Sequence, residues 1–193
     1  DFVLREVTCF RDLGFPYSAG FIILVISISP KEKPINPLED RITMQPYAEI
    51  EGRILALMDN EDDTISLMAT VAAELYQAVE GFDWVGFYRV TEPGLLKIGP
   101  YQGGHGCLVI PFDKGVCGAA ARTGETQRVD DVDAFPGHIA CAASTRSEIV
   151  VPVRNGAGDL IAVLDIDSDT PAFFKSDDQV FLEALMEKVF GRI

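Results

Sequence analysis

The sequence predicts an α+β domain, in which a central antiparallel sheet carries the N- and C-terminal helices on one face and a ligand pocket under loops on the other. Three observations predict this class. Apolar residues recur at helical spacing at both ends of residues 44–193, β-rich runs fill the middle, and short turn signals join those runs. The chain has 193 residues, 48% of them hydrophobic, which is enough for one sizeable core.

The first 43 residues differ from the rest. They contain one apolar run of eight residues, 21–28, followed by a Pro- and charge-rich stretch. A bilayer span needs about 20 residues, and no A-x-A-like cleavage site of a signal peptide follows the run. Met44 opens the first regular amphipathic segment. We therefore expect a leader or extension over residues 1–43, poorly ordered or without function, and one functional domain over residues 44–193.

Two helices are predicted at the start of this domain. The apolar residues of the first are Ile50, Ile54, Leu57 and Met58. Residues 60–63, Asn-Glu-Asp-Asp, end that helix and cap the next one. The second stripe, which stops before Gly81, consists of Leu67, Met68, Val71, Ala72, Leu75, Ala78 and Val79. We expect the two helices to pack as a hairpin.

The middle of the domain reads as strands. The first three are predicted at residues 84–90, 95–99 and 107–111. A short helix of small residues, 115–121, ends before Gly124. Two further β-rich runs, 148–153 and 160–167, flank a turn-forming stretch and predict a hairpin.

The last helix is predicted to open at Ser176, because Ser176-x-x-Gln179 matches a capping box. Its inward-facing residues are expected to be Val180, Leu182, Leu185, Met186 and Val189.

Charge and cysteine content limit the function classes. The formal net charge of −14 disfavours both a nucleic-acid partner and an anionic membrane, since both need a basic surface. It suits a cationic or zwitterionic small ligand, or solubility alone. Four cysteines are too few for a disulfide scaffold, so we expect reduced thiols and a cytoplasmic protein. The spacing of Cys107, Cys117 and Cys141 lacks paired C-x2-C motifs, so no structural metal is expected.

The predicted hairpin brings acidic residues together. Glu148 is expected opposite Asp165 or Asp167, and the two aspartates share a strand face. Like charges across strands repel, so the cluster indicates a bound cation, a metal or a carboxyl kept protonated, unless these acids are solvated strand-end charges. D-x-D-x-D from Asp165 has Thr170 at position six and Ser176 at position twelve, which excludes an EF-hand. A ligand ammonium group fits the cluster better.

Cys141 lies in a loop of small and polar residues, GHIACAAS, which suits close approach of a ligand. His138, three residues earlier, would lower the pKa of this thiol if the segment is helical, and is equally consistent with a structural histidine. His105, two residues before Cys107, is expected on the same side of a predicted strand. It is likewise consistent with lowering the pKa of the Cys107 thiol or with a structural histidine. Cys9 is expected to be structural.

Four motifs together resemble the free methionine-(R)-sulfoxide reductases, an enzyme family with the GAF fold. They are WVGFY, GPYQGGHGCLVIPFDKGVCGAAA, DVDAFPGHIACAASTRSEIVVPV and AVLDIDS, and they lie between residues 84 and 168. The resemblance as a whole covers residues 44–193. The resemblance implies that Cys141 is the catalytic cysteine and Cys107 its resolving partner. Cys117 matches the third family cysteine, either a secondary thiol or small-residue packing. The implied substrate-pocket residues are Trp84, Glu148, Asp165 and Asp167.

The resemblance also implies a mechanism. The Cys141 thiolate attacks the sulfoxide sulfur of free methionine-(R)-sulfoxide while a nearby carboxyl protonates the oxygen, which leaves methionine and a sulfenic acid. Cys107 then forms a disulfide with that sulfur, and thioredoxin regenerates the dithiol. No bound metal, flavin or nicotinamide is required. A homodimer is expected only because symmetric pairs are the commonest oligomers.

Two other function classes compete with this one. A GAF module that senses a small molecule without turnover shares the fold, but three thiols then have no role. A cysteine hydrolase would pair Cys141 with His138 or His105, but the chain lacks a recognisable nucleophile elbow.

Overall fold

The computed structural model describes residues 47–137 and 142–193. The predictions for residues 1–43, with Cys9, lie outside the described residues, and so do those for His138 and Cys141. The domain boundary at residue 44 stays a prediction. Within the described ranges, no helix has the length and apolar character needed to cross a membrane.

Four α-helices and six strands make up the described domain. In chain order they are α1 (Tyr47–Leu57), α2 (Thr64–Ala78), β1 (Trp84–Glu92), β2 (Leu95–Gln102), β3 (Val109–Pro111), α3 (Gly115–Thr123), β4 (Gln127–Val129), β5 (Ser147–Arg154), β6 (Leu160–Ser168) and α4 (Ser176–Phe190). A 3-10 turn, Val132–Ala134, follows β4. Neither β4 nor this turn was predicted, because three-residue elements are too short to show a period.

The strands form one antiparallel sheet in the order β3-β2-β1-β6-β5-β4. Alternate residues point to opposite faces. One face, with Val85, Phe87 and Ile166, joins the apolar residues of α1, α2 and α4 in the larger core. The other face, with Trp84 and Tyr88, packs against α3 in a smaller core. The predicted α+β class, with the N- and C-terminal helices on one face, is confirmed.

The hairpins were predicted well. Arg53 of α1 forms an ion pair with Glu74 of α2 at 3.0 Å, so the first two helices lie side by side as expected. The β5–β6 hairpin pairs Arg154 with Leu160 across its turn. The left-handed Gly124, at φ 70°, ends α3 at the predicted place.

Two helix residues predicted to face inward are exposed. Val180 is 66% exposed and Leu57 is 63% exposed. Val180 lies two residues, or about 200°, from the buried Leu182 and therefore points away from the sheet. Leu57 is the last residue of α1, and it lies off the helix face that carries the buried Ile54 and Met58.

Helix starts were predicted with mixed success. Asp63 caps α2, because its Oδ1 accepts from the Ser66 N–H at 2.8 Å. The capping box predicted at Ser176 and Gln179 is wrong by one residue. Lys175 is the cap residue, and its N–H donates to Oδ2 of the buried Asp178 at 2.6 Å. The Tyr47 hydroxyl also donates to Asp178, so this carboxylate links α1 to the start of α4.

The third strand is shorter than predicted. It begins at Val109 rather than at residue 107, so His105 and Cys107 lie in the loop that precedes it. The prediction that these two side chains share one strand face is therefore wrong, because alternation holds only inside a strand.

Candidate functional site

The acidic cluster is built by the register of the β5–β6 hairpin. Glu148 pairs directly with Asp167, and Val150 pairs with Asp165, so the three acids share one sheet face. Of the two partners expected for Glu148, the register selects Asp167. On the other side of β6, Trp84 pairs with Asp167 and Gly86 with Asp165. The register thus brings four predicted pocket residues onto neighbouring strands of the face that carries α3.

These acids are not solvated strand-end charges. Glu148 is 6% exposed and Asp165 is 5% exposed, while Asp167 is half-buried. Within the described part of the chain, Oδ1 of Asp165 has no hydrogen-bond partner. A buried carboxylate oxygen without a partner costs about 1–3 kcal/mol or more, so this position favours a ligand that brings a donor or a positive charge.

Cys117 joins this cluster from α3. Its thiol lies 3.8 Å from Oε1 of Glu148, to which it donates. Among the described cysteines it is free, and it is buried. The next residue, Gly118, permits the close approach of α3, because a Cβ there would lie 2.6 Å from the Pro111 carbonyl oxygen. Cys117 is therefore a buried neighbour of the acids rather than an accessible nucleophile.

Burial raises the pKa of all three acids. The pKa of Asp165 is raised to about 6 by burial. Side-chain hydrogen bonds with Glu148 and Cys117 lower this pKa and so limit the rise. The pKa values of Glu148 and Asp167 are raised well above the ordinary range, first by burial and then by the charge of Asp165. One negative charge in the cluster thus keeps protons on its neighbours near pH 7.

The pKa of the Cys117 thiol is likewise raised, by burial first and then by Asp165 and Glu148. Cys117 is therefore a protonated thiol at neutral pH. A protonated thiol is a poor nucleophile, and its S–H remains available to Glu148.

Trp84 forms an aromatic wall beside the acids. Its ring stacks with the rings of Tyr88 and Tyr101, with centroids 5.8 and 5.4 Å away, and its Nε1–H donates to the Gly104 carbonyl at 3.1 Å. Gly86 is required below the ring, because a Cβ there would lie 2.4 Å from it. The indole is therefore fixed in place and 5% exposed.

Tyr88 belongs to this wall but was not among the predicted pocket residues. Its hydroxyl accepts from the Cys107 backbone N–H, and burial raises the pKa of the phenol. The signal was present in WVGFY, since strand alternation places residues 84, 86 and 88 on one face. Tyr88 thereby connects the wall to the cysteine loop.

Cys107 is half-buried and disulfide-bonded. Because Cys117 is free, the cysteine bonded to Cys107 lies outside the described residues. The expectation of reduced thiols thus does not describe Cys107 in this structure, and Cys107 is also the cysteine to which the family resemblance assigns a disulfide during turnover. Too few cysteines for a scaffold do not prevent a bond where two thiols lie close together.

Three residues have the donor atoms for a metal. The ligand atoms of Cys117, Glu148 and Asp165 lie within 4.8 Å of one another, and Zn²⁺ accepts sulfur and oxygen donors. Protonation of the carboxyls and of the thiol offers another way to relieve their repulsion. That no metal is needed stays a prediction.

Comparisons with known proteins place this geometry in context. The sequence profile of the GAF domain matches residues 63–190. The chain is 40% identical to the free methionine-R-sulfoxide reductase of Escherichia coli over 75% of this chain and 88% of that protein. The Saccharomyces cerevisiae protein of the same name is 39% identical over 80% and 87%, respectively. A substrate complex of the Neisseria meningitidis enzyme of that name superposes with a TM-score of 0.70, at 42% identity, over 74% of this chain and 85% of that one.

Proposed function

Because this chain belongs to the GAF-domain family and, within it, to the free methionine-R-sulfoxide reductases, we propose that it reduces free L-methionine-(R)-sulfoxide to L-methionine through Cys141 and Cys107. The motif resemblance and the oxidoreductase class are thereby confirmed. The cysteine mechanism, its recycling by thioredoxin, the homodimer and the cytoplasmic location stay proposals. The observation that carries the proposal is the buried acid cluster facing the Trp84 wall.

Substrate recognition follows from the charges of the cluster. Free methionine sulfoxide carries an ammonium group, a polarised S–O bond and an S-methyl group. We propose that the ammonium pairs with the carboxylate of Asp165, whose buried Oδ1 has no partner among the described residues. The methyl end packs on the indole of Trp84, which adjoins Asp167 in the sheet.

The chemistry needs an acid at neutral pH. Oxygen leaves a sulfoxide readily only when it is protonated, and an ordinary carboxyl is ionised at pH 7. Glu148 and Asp167 are held protonated by burial and by the charge of Asp165. We propose that one of these two protonates the oxygen while the Cys141 thiolate attacks sulfur. The products are methionine and the Cys141 sulfenic acid.

The remaining steps are the formation and the reduction of a disulfide. The Cys107 thiol attacks the sulfenic sulfur, so that a Cys107–Cys141 disulfide forms and water leaves. The disulfide state of Cys107 supports this role. Cys117 is protonated and donates to Glu148. This supports a role in positioning the Glu148 carboxyl, and not in attacking the sulfenic acid. A dithiol protein of the thioredoxin class would return both cysteines to the reduced state.

The test is turnover of each epimer of free methionine sulfoxide by the reduced protein with a thioredoxin system, followed as methionine formed. We expect turnover of the R epimer and none after Cys141→Ser. Undiminished turnover in that variant would contradict the assignment. Binding of the sulfoxide without methionine formation would identify a sensing module instead.

The acid is assigned by a second measurement, the pH profile of single-turnover methionine release in Glu148→Gln and Asp167→Asn. Removing the proton donor should lower the rate by about 10²–10⁴-fold and flatten its decline at high pH. Removing a residue that only binds should raise the KM and leave the shape of the profile unchanged. If both variants lose rate equally and keep the wild-type shape of the pH profile, neither residue is the general acid.

A further inference from the structure

The outer edge of the sheet carries an exposed apolar segment next to the disulfide. Strand β3 lies at one edge of the sheet and pairs with β2 on one side, and no described strand pairs with its other side. At its start, Leu108 is 73% exposed and Val109 is 47% exposed, while Cys107 is half-buried. We name residues 105–109 the β3-edge segment.

A single exposed apolar residue is common on protein surfaces, but Leu108 lies next to a disulfide-bonded cysteine. A protein thiolate reduces a disulfide by attacking one of its sulfur atoms directly, so the reductant must cover the residues beside that sulfur. Leu108 adjoins the disulfide-bonded Cys107 and is the most exposed large apolar residue described. An open, extended edge also offers backbone groups with which a partner segment can pair.

We propose that the β3-edge segment is the docking surface for a dithiol protein reductant of the thioredoxin class, which attacks Sγ of Cys107. The proposal rests on the proposed function, because it deepens the recycling step. The reductant's thiolate forms a mixed disulfide with Cys107 and releases the bonded cysteine of this chain as a thiolate. The reductant's second thiol then attacks its own sulfur in that mixed disulfide. Cys107 is freed as a thiol, and the reductant leaves oxidised.

The other surfaces around the sulfur fit this role less well. On its inner side, the backbone N–H of Cys107 is bonded to the buried hydroxyl of Tyr88. Cys107 packs against the buried cluster that includes Trp84. Of the two chain neighbours of Cys107, Gly106 is half-buried and Leu108 is exposed, so Leu108 offers the surface that a partner can contact beside the disulfide. A reductant bound there approaches without displacing the aromatic wall.

The experiment uses the full oxidised protein and a bacterial thioredoxin whose second active-site cysteine is replaced by serine, so that the mixed disulfide accumulates. Peptide mapping should place the adduct on Cys107. Leu108→Glu should slow adduct formation at least about tenfold, equivalent to about 1.4 kcal/mol, and Leu108→Ser should slow it less. Val180→Glu is the matched control, because Val180 has similar exposure on α4, which packs on the other sheet face.

Dithiothreitol should reduce all variants at the wild-type rate, which verifies that the disulfide and the fold are intact. An adduct on the other cysteine, or equal adduct rates for Leu108→Glu and the wild type, would overturn the proposal. Loss of a dimer in Leu108→Glu together with an unchanged adduct rate would assign the segment to a second copy instead. Each of these measurements follows the disulfide alone. A failure of the docking proposal is therefore distinguishable from a failure of the proposed sulfoxide reduction, which the turnover assay measures.

Discussion

Replacing Asp165 with asparagine should stabilise the substrate-free protein while lowering its activity. The pKa of Asp165 is raised from 3.8 to about 6 by burial, and one pKa unit corresponds to about 1.4 kcal/mol. A carboxyl whose pKa is higher in the folded state loses stability as pH rises from about 4 to 6. At pH 7 the ionised Asp165 therefore costs on the order of 3 kcal/mol, which Asp165→Asn should recover.

The assay is urea unfolding of the wild type and the variant at several pH values. The stability gain should be about 3 kcal/mol at pH 7 and should fall to about 1 kcal/mol near pH 4.5, where the wild-type carboxyl is protonated in the fold. Asp159→Asn, in the exposed hairpin turn, removes the same charge and should change stability by less than about 0.5 kcal/mol.

Activity of Asp165→Asn should fall through a raised KM, because the ammonium loses its ionic partner. A variant that is less stable than the wild type at pH 7, or whose gain in stability does not depend on pH, would contradict the proposed cost of ionised Asp165. Either outcome would mean that Asp165 is a structural residue with a satisfied partner.

Two further predictions concern the wall and the thiols. Gly86→Ala should cost about 1–3 kcal/mol in thermal unfolding and raise the KM, since its Cβ would lie 2.4 Å from Trp84. The exposed helical Gly52→Ala, with nothing within 4 Å of its Cβ, should instead stabilise by about 0.5–1 kcal/mol. Cys117→Ser should keep thioredoxin-driven cycling, whereas Cys107→Ser should release one methionine per site and then stop. Sustained cycling in Cys107→Ser would mean that Cys117 resolves the sulfenic acid.

The helices and strands could be predicted because the residues that specify each of them lie close together in the sequence. Apolar spacing in α1 and α2 and the turn before Leu160 identified helices and strands directly. Failures occurred where neighbours decide the outcome. Lys175 became the cap of α4 because the buried Asp178 accepts its N–H and also bonds to Tyr47, more than a hundred residues earlier in the chain.

The acid cluster was predictable for a related reason. Hairpin register depends on the turn, so the sequence alone could place Glu148 opposite one of two aspartates on the same face. Tyr88 could have been added by the same alternation. The third component, Cys117, could not be placed beside Glu148 from sequence, because α3 reaches the sheet through packing that involves Gly118 and distant loops.

The fold class, the acidic hairpin and the family could be predicted from the sequence, because periodicity, turn residues and motif order are properties of the order of residues along the chain. The burial and protonation of these acids, and the neutral Cys117 thiol beside them, were found only in the folded protein. The fold also leaves Leu108 exposed at the sheet edge. Burial and charge coupling depend on what surrounds a group in space, and residues far apart in sequence supply those surroundings.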